Sequence, residues 1–355
     1  MPLNHYITLG RSGLRVSPYC LGTMTFGEEF GWGASPQESF AMLDEYRSRG
    51  GNFVDTANIY TAGHSEQIVG DYIKHHAVRR DELVLGTKFY CNLFPGDPNG
   101  GGAGRKALIQ QCEASLKRLQ SDYIDIYWLH NWDRGAPIEE TLRGLDDLVT
   151  AGKIRYIGFS DIPAWKTAEA QTIARFRGWA PVIALQLEYS LLERTGEGEL
   201  FPLAQEMGMG IMPWSPLKSG FLSGKFRRNG EGSVDTRRSG MVGMPSPADY
   251  DVIDTVVEIA SALNVSPAAV ALAWVRSQAG VSATLIGARR LDQLKTNLDS
   301  LEVRLSAGQI ARLSEVSQPR LNFPAENNAT LAPMLAFAGM TVDGKTIPPF
   351  TLHAS

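Results

Sequence analysis

Four residues along the chain have side chains suited to proton transfer at a carbonyl oxygen. They are Asp55 and Tyr60 in FVDTANIY, Lys88 at the end of LVLGTK, and His130 at the end of YIDIYWLH. A carboxylate that ends an apolar run is costly unless a cation meets it, and Lys88 is the candidate partner of Asp55. A neighbouring ammonium favours the phenolate, so we expect Lys88 to lower the pKa of Tyr60 from about 10. Tyr60 would then protonate a developing alkoxide while His130 donates a second hydrogen bond to it.

Eight short β-type runs, each followed by a longer stretch, carry these residues. The runs span 19–23, 52–56, 83–88, 123–130, 154–160, 182–190, 210–215 and 283–288. Apolar strands that alternate with amphipathic helices indicate a parallel sheet covered by helices, and eight such units favour a (β/α)8 TIM barrel. Functional residues of such a barrel follow the carboxyl ends of its strands, which is where Asp55, Lys88 and His130 lie.

The other segments predict how the barrel is completed. Residues 5–18 contain two short runs around a turn and predict an N-terminal β-hairpin across the bottom of the barrel. Residues 217–249 are rich in Gly, Arg, Ser and Pro and predict a long loop after strand 7. We expect the C-terminal tail, about 318–355, to lie over the active site. No linker interrupts the alternation, so we expect a single domain over residues 1–355.

Bulk composition excludes several classes of function. The chain is 43% hydrophobic and 20% charged, as in ordinary globular proteins, and its net charge of -4 provides no basic field for nucleic acid or an anionic membrane. No apolar run approaches the roughly 20 residues that cross a bilayer, and MPLNHYITLG lacks a signal-peptide pattern. Cys20, Cys91 and Cys112 have no metal-ligand spacing. We expect reduced cysteines, a cytoplasmic location and no metal site.

The motifs FVDTANIY, LGTK and YWLHNWD resemble those of the aldo-keto reductase superfamily, and the similarity extends from GLRVSPYCLGTMTFG to QLKTNLDSL. They match the family's Asp–Tyr–Lys–His tetrad in order and context. The resemblance implies that Tyr60 is the general acid/base, that Lys88 and Asp55 tune it, and that His130 orients the carbonyl. The segment YSLLER at 189–194 is more similar to bacterial members than to vertebrate reductases.

The resemblance also implies a nicotinamide cofactor. Ser160 and Asp161 in GFSD and Gln186 in LQLEYS resemble the residues that hold the carboxamide, and Trp214 falls where the family stacks an aromatic ring on the nicotinamide. The other implied cofactor residues are Gly22, Thr23, Met24 and Asp55 on the nicotinamide side, Ser215, Leu217 and Gly220 at the pyrophosphate, and Arg289, Gln293 and Asn297 at the adenosine 2′-phosphate and adenine. A guanidinium suits a phosphate dianion, so the match favours NADPH/NADP+ over NADH.

Asp161 departs from the family pattern, which usually has asparagine there. An aspartate cannot donate to the carboxamide oxygen and can only accept from its amide group. Either the hydrogen bonds to the carboxamide are arranged differently in this protein, or neighbouring residues supply the donor that Asp161 lacks.

The predicted function is reduction of an aldehyde or ketone to the alcohol, with the reverse oxidation in the same site. The implied substrate contacts are Trp32, Tyr60, His130 and Trp132. Aromatic residues at Phe89, Tyr90, Phe94 and Phe350 suggest a pocket for a bulky cyclic or xenobiotic ketone. We expect a small-molecule carbonyl or alcohol as partner and a monomer or small homo-oligomer. The alternative is an NADPH-binding regulatory or redox-sensor subunit with little turnover.

Two glycine- or arginine-rich stretches allow two interpretations each. The stretch at 97–107, DPNGGGAGRKA, lacks the GK[ST] ending of a phosphate loop. The preferred interpretation is therefore a flexible loop near the mouth of the active site. Arg227, Arg228, Arg237 and Arg238 belong either to a solvated loop or to a segment that closes over NADPH phosphates.

Overall fold

The computed structural model describes residues 2–228 and 244–351, and its centre is a sheet of eight parallel strands. In chain order these are β3 (Tyr19–Gly22), β4 (Phe53–Asp55), β5 (Val84–Phe89), β6 (Ile124–Leu129), β7 (Ile154–Ser160), β8 (Val182–Glu188), β9 (Gly210–Trp214) and β10 (Thr284–Ile286). From β3 to β9 each strand pairs with the next, and β10 pairs with β3. Ile211 in β9 bonds the main chain of Gly280 and Ser282 before β10, so the sheet nearly closes. The predicted (β/α)8 TIM barrel is confirmed.

Helices follow the strands and cover the outside of the barrel. They are α1 (Pro36–Ser48), α2 (His64–His75), α3 (Arg105–Leu119), α4 (Ile138–Thr150), α5 (Ala164–Arg177), α6 (Leu200–Met207), α7 (Pro247–Leu263), α8 (Pro267–Ser277), α9 (Leu291–Asp299) and α10 (Ala307–Val316). Within residues 2–228 and 244–351, no single helix is long and apolar enough to cross a membrane. Helices α7 and α8 are long and apolar enough only when they are counted together, and the chain bends by 103° between them.

A hairpin closes the amino-terminal end of the barrel, as predicted. Strands β1 (Ile7–Thr8) and β2 (Arg15–Val16) are antiparallel. Leu9 and Val16 are fully buried and belong to the same apolar cluster as Phe53 and Val84 inside the barrel. The bottom of the barrel is therefore filled by side chains, and the carboxyl ends of the strands remain for chemistry.

Trp128 fills the barrel beneath the catalytic end, and two glycines make room for it. A Cβ atom on Gly158 would lie 2.2 Å from the indole, and one on Gly86 would lie 2.9 Å from its nitrogen and 3.0 Å from a carboxylate oxygen of Asp55. The two distances to Trp128 are shorter than real side-chain contacts allow and the one to Asp55 is tight, so alanine at either position would displace Trp128.

Alternation along the strands decides which residues face the barrel interior. Successive side chains of a strand point to opposite faces, so Gly86 and Lys88 of β5 point inward while Thr87 and Phe89 point to the helices. Phe89 is fully buried and its ring stacks on Tyr127 with centroids 4.6 Å apart. The suggestion that Phe89 lines a substrate pocket is therefore wrong.

The C-terminal tail continues from the rim of the barrel into short elements on the surface. It contains α11 (Ala325–Ala329), α12 (Leu331–Phe337) and an antiparallel hairpin of β11 (Thr341–Val342) and β12 (Lys345–Thr346). The tail begins beside the loops that follow β7 and β8, where residues 320–322 share a groove with Pro163 and Gly196. Phe350, suggested as a pocket residue, is exposed.

Of the arginines predicted to lie in the long loop, some are within the residues that the structure describes and others are not. Arg228 bonds Asp251 at 2.5 Å and Asp254 at 3.2 Å, so α7 holds its guanidinium. Arg237 and Arg238 lie outside the described residues.

Candidate active site

Asp55 and Lys88 form a fully buried ion pair at the carboxyl ends of β4 and β5. The Lys88 ammonium donates to the Asp55 carboxylate and, at 2.8 Å, to the carbonyl of Thr56. The Gln186 amide donates to the other oxygen of Asp55 at 3.4 Å. Burial lowers the pKa of Lys88, but the Asp55 carboxylate and the Tyr60 phenol outweigh it and raise that pKa overall, so the ammonium stays charged.

Tyr60 begins a tight turn in the loop that follows β4, five residues after Asp55. The two residues that follow it, Thr61 (φ 46°) and Ala62 (φ 55°), lie in the left-handed region of backbone conformation. Residues other than glycine adopt this conformation at an energetic cost. The Thr61 hydroxyl donates to the carbonyl of Phe26 at 2.9 Å and accepts from the N–H of Ser65 at 3.0 Å. These bonds hold the turn and direct the phenol of Tyr60 into the mouth of the barrel.

The Tyr60 hydroxyl accepts a hydrogen bond from the Lys88 ammonium at 3.2 Å. This is the contact expected if Lys88 influences the pKa of Tyr60. Burial nevertheless raises the pKa of Tyr60 above its usual value, and the opposing effect of Lys88 is smaller. The expected net lowering of this pKa is therefore wrong. A phenol with a raised pKa remains protonated at neutral pH, which is the state that a proton donor requires.

His130 follows β6 and presents its ring edge-to-face to Tyr60, with centroids 6.1 Å apart. Burial, and to a lesser extent Lys88, lowers the pKa of His130 to about 3, so the imidazole is neutral. The Cys91 thiol lies 3.9 Å from Nδ1, and burial raises the pKa of that thiol. A thiol that donated to Nδ1 would leave the ring proton on Nε2, the tautomer that can donate a hydrogen bond towards the mouth of the barrel.

Asp161 and Trp214 are joined across the ends of β7 and β9. The Trp214 indole N–H donates to an Asp161 oxygen at 3.1 Å, and the Ser160 hydroxyl donates to the other oxygen at 3.4 Å. Burial of the carboxyl group raises the pKa of Asp161 to about 6, against the effect of these two hydrogen bonds. Asp161 as a whole keeps access to solvent, so we expect water in the open cleft to moderate this shift.

Arg289 and its neighbours lie at the end of β10, where the 2′-phosphate residues were expected. Arg290 forms a two-bond ion pair with Asp292, each bond 2.9 Å long. Arg289 has no carboxylate within salt-bridge distance among the residues that the structure describes. The Gln293 side chain accepts from the main-chain N–H of Arg289 at 3.0 Å, and Asn297 is buried. The unpaired guanidinium is the one available to an anion.

The remaining expected cofactor residues lie in two loops at the same end of the barrel. They are Gly22, Thr23 and Met24 at the end of β3, and Ser215, Leu217 and Gly220 after β9. The Thr23 hydroxyl is fully buried and bonds Ser65 at 2.8 Å, so it has a structural role. Ser215 (φ 51°) and Gly220 (φ 100°) shape a tight turn in which the Ser215 hydroxyl accepts from the N–H of Ser219 at 3.1 Å.

Aromatic residues surround the mouth of the barrel, and one of them, Trp165, was not predicted from the sequence. Trp32 lies beside Phe30 with ring centroids 5.9 Å apart, and Trp132 meets Trp165 edge-to-face at 5.2 Å. Cys91 was missed as well, although its position three residues after Lys88 places it beside the same strand end. No group of three or more His, Cys, Asp and Glu side chains in 2–228 and 244–351 could hold a metal ion.

The Aldo/keto reductase family profile matches residues 18–318, which includes every barrel strand and all four residues of the Asp–Tyr–Lys–His set. The chain belongs to the aldo/keto reductase family. Three curated relatives show the range of its similarities. An uncharacterized oxidoreductase of Bacillus subtilis is 35% identical, and the alignment covers 88% of this chain and 95% of the relative.

Two fungal relatives are similar at the same level. An aryl-alcohol dehydrogenase of Pestalotiopsis microspora is 34% identical over 95% of this chain and 86% of its own length. A norsolorinic acid reductase of Aspergillus flavus is 34% identical over 90% of this chain and 82% of its own. This aldo/keto reductase is therefore an oxidoreductase, and its family and relatives support carbonyl chemistry in general.

Proposed function

We propose that the protein is an NADPH-dependent reductase of aldehydes and ketones that also catalyses the reverse oxidation of alcohols. The observation that carries this proposal is the connected set at the ends of β4, β5 and β6. A buried Asp55–Lys88 pair contacts the Tyr60 hydroxyl, and a neutral His130 ring stands beside the phenol. This arrangement supplies a proton and a hydrogen bond to one oxygen atom.

A nicotinamide cofactor held at this end of the barrel would supply a hydride for the carbonyl carbon. The Tyr60 O–H delivers its proton to the carbonyl oxygen, and the Lys88 ammonium stabilises the phenolate that remains. Asp55 keeps that ammonium in place because the pair is closed off from water. The Nε2–H of His130 donates to the same oxygen and orients the carbonyl. In the reverse direction the Tyr60 phenolate accepts the alcohol proton.

The residues present fit a nicotinamide dinucleotide with a 2′-phosphate. Trp214 offers a partly exposed ring at the end of β9, and its N–H is already engaged by Asp161, so the ring plane is held. At the end of β10 the Arg289 guanidinium has no carboxylate within salt-bridge distance among residues 2–228 and 244–351, whereas its neighbour Arg290 is neutralised by Asp292. An unpaired guanidinium stabilises a phosphate dianion by charge-assisted hydrogen bonds, which supports NADPH over NADH.

Replacing Arg289 with leucine should weaken binding of NADPH by about 10- to 100-fold, the range for losing hydrogen bonds to a charged group. Binding of NADH should change by less than about twofold because it lacks the phosphate. Quenching of tryptophan fluorescence during titration with each cofactor measures both constants. Arg290→Leu is the matched control, since Asp292 already holds that guanidinium. Equal losses for both cofactors would contradict the assignment of Arg289.

Asp161→Asn should remove a pH dependence from the binding of NADP+. In the wild type Asp161 ionises as the pH rises through about 6, and its negative charge then favours the positively charged oxidised nicotinamide. Glu188 and Lys88 are the other charged groups that act on this carboxyl group. We expect binding to tighten about three- to tenfold between pH 5 and pH 8, equivalent to a pKa change of up to about one unit.

Fluorescence titrations of NADP+ across this pH range measure the effect. In the Asp161→Asn variant the affinity should be flat with pH, and Glu188→Gln serves as the control that keeps the Asp161 carboxyl group. A pH dependence as steep in Asp161→Asn as in the wild type would assign the titration to another residue.

For the substrate we propose a bulky cyclic or aromatic carbonyl compound. The rings of Trp32, Trp132 and Trp165 stand around the mouth, and two relatives are named as an aryl-alcohol dehydrogenase and a norsolorinic acid reductase. The test is oxidation of NADPH, followed by absorbance, with a panel of aromatic aldehydes, cyclic ketones and small aliphatic aldehydes. Turnover supports the reductase. Tight NADPH binding with no turnover in either direction would favour the regulatory subunit.

A further inference from the structure

Trp132 and Trp165 form an aromatic corner at the rim of the barrel, beside the catalytic end. Trp132 follows His130 by two residues, and Trp165 lies in the first turn of α5, four residues after Asp161. Their rings meet at 89° with centroids 5.2 Å apart. The corner therefore joins the loops after β6 and β7, which flank both the proton donor and the expected nicotinamide side.

Within this corner Trp132 packs against the core, whereas Trp165 contributes little to it. The tryptophans that pack the interior, Trp128 and Trp274, are fully buried, whereas Trp165 is 57% exposed. The exposed indole of Trp165 is an unused contact area for a flat ring, because paired aromatic rings attract each other beyond the burial of their area.

Cations flank the two rings. The Lys166 ammonium lies 4.6 Å from the centre of the Trp165 ring and is itself paired with Glu169. The Arg134 guanidinium lies 5.1 Å from the centre of the Trp132 ring, and no salt bridge of Arg134 occurs in the described part of the chain. Arg134 is exposed and carries an uncompensated positive charge at the outer edge of the corner. A ligand that combines an aromatic ring with a negative charge matches both features.

We propose that Trp132, Trp165 and Arg134 form a substrate platform that selects aromatic carbonyl compounds with an anionic group remote from the carbonyl. The proposal rests on the reductase function proposed above and names its substrate class. The aromatic ring stacks on the exposed indole while the carbonyl reaches Tyr60 and His130. The anionic group, a carboxylate or an ionised phenol, faces the Arg134 guanidinium.

The test compares NADPH-dependent reduction of propanal, benzaldehyde and 4-carboxybenzaldehyde by the intact protein. Trp165→Leu should lower kcat/KM for benzaldehyde about three- to tenfold, through KM, and leave propanal within about twofold. Arg134→Gln should lower kcat/KM about two- to fivefold for 4-carboxybenzaldehyde alone, and added salt should reduce the wild-type preference for that aldehyde.

Matched controls come from the far end of α5. Phe176→Leu removes an exposed aromatic side chain and Arg177→Gln removes an exposed guanidinium, both on the same helix and away from the mouth. Neither should change the ranking of the three aldehydes.

The outcomes separate the two proposals. If the wild type reduces none of the three aldehydes, the reductase proposal fails together with the platform. If it reduces propanal and benzaldehyde, but Trp165→Leu affects both equally or neither, the reductase stands and the platform is overturned. Retention of the preference for 4-carboxybenzaldehyde in Arg134→Gln would overturn the role of the guanidinium.

Discussion

The Tyr60→Phe variant should lose about 10²- to 10⁴-fold in kcat for carbonyl reduction and still bind NADPH with nearly unchanged affinity. The substitution removes only the hydroxyl group, which is the proton donor and the acceptor of the Lys88 hydrogen bond. The ring remains in place against His130, so the shape of the mouth is preserved. Initial rates of NADPH oxidation give kcat, and fluorescence titration gives the cofactor affinity.

Tyr6→Phe is the matched control for this substitution. The Tyr6 hydroxyl also makes one hydrogen bond, to the carbonyl of Gly50 at 3.0 Å, but it lies at the hairpin end of the chain.

Burial raises the pKa of Tyr60, so wild-type reduction should not slow until the pH is well above neutral, whereas alcohol oxidation should accelerate as the pH rises. Unchanged kcat in Tyr60→Phe would show that another group supplies the proton.

Lys88→Met should lower the free energy of unfolding by about 3–5 kcal/mol in addition to abolishing turnover. Methionine fills the space of the lysine stem but leaves the Asp55 carboxylate buried without its cation. The weak Gln186 contact at 3.4 Å and the Trp128 indole are the side-chain partners that would remain for that carboxylate among the described residues. Urea titration followed by far-ultraviolet circular dichroism measures the loss of stability.

The pH dependence of this loss identifies its cause. Burial raises the pKa of Asp55 and Lys88 opposes that rise, so removing Lys88 raises the pKa further. A raised folded-state pKa gives stability below the unfolded value of about 3.9 that is lost as the pH rises through the folded value. The deficit of Lys88→Met should thus be smaller near pH 5 than near pH 8.

The double variant Lys88→Met/Asp55→Asn removes the unpaired charge and provides the control. It should recover about 2 kcal/mol relative to the single variant, because a neutral amide is less costly to bury than an isolated carboxylate. A double variant less stable than Lys88→Met, with a deficit independent of pH, would locate the loss in packing around position 88.

The amino-acid sequence by itself predicted the order and type of the barrel elements. The strands are short, mostly apolar runs separated by longer segments, and these signals are local, so all eight strands were located to within two residues at either end. The positions of Asp55, Lys88 and His130 at strand ends followed from the same pattern. Their convergence in space is a consequence of parallel strands, whose carboxyl ends meet at one rim.

Only the tertiary structure decided which side chains meet across that rim. The Cys91–His130, Asp161–Trp214 and Trp132–Trp165 contacts join loops after different strands, separated by 39, 53 and 33 residues. No local pattern encodes such pairs, because each depends on the loop conformations and rotamers that the assembled barrel selects. The pKa of Tyr60 shows the same division. The sequence indicated the ammonium that lowers it, but the larger opposing effect is burial, which depends on all the atoms that fold around the phenol.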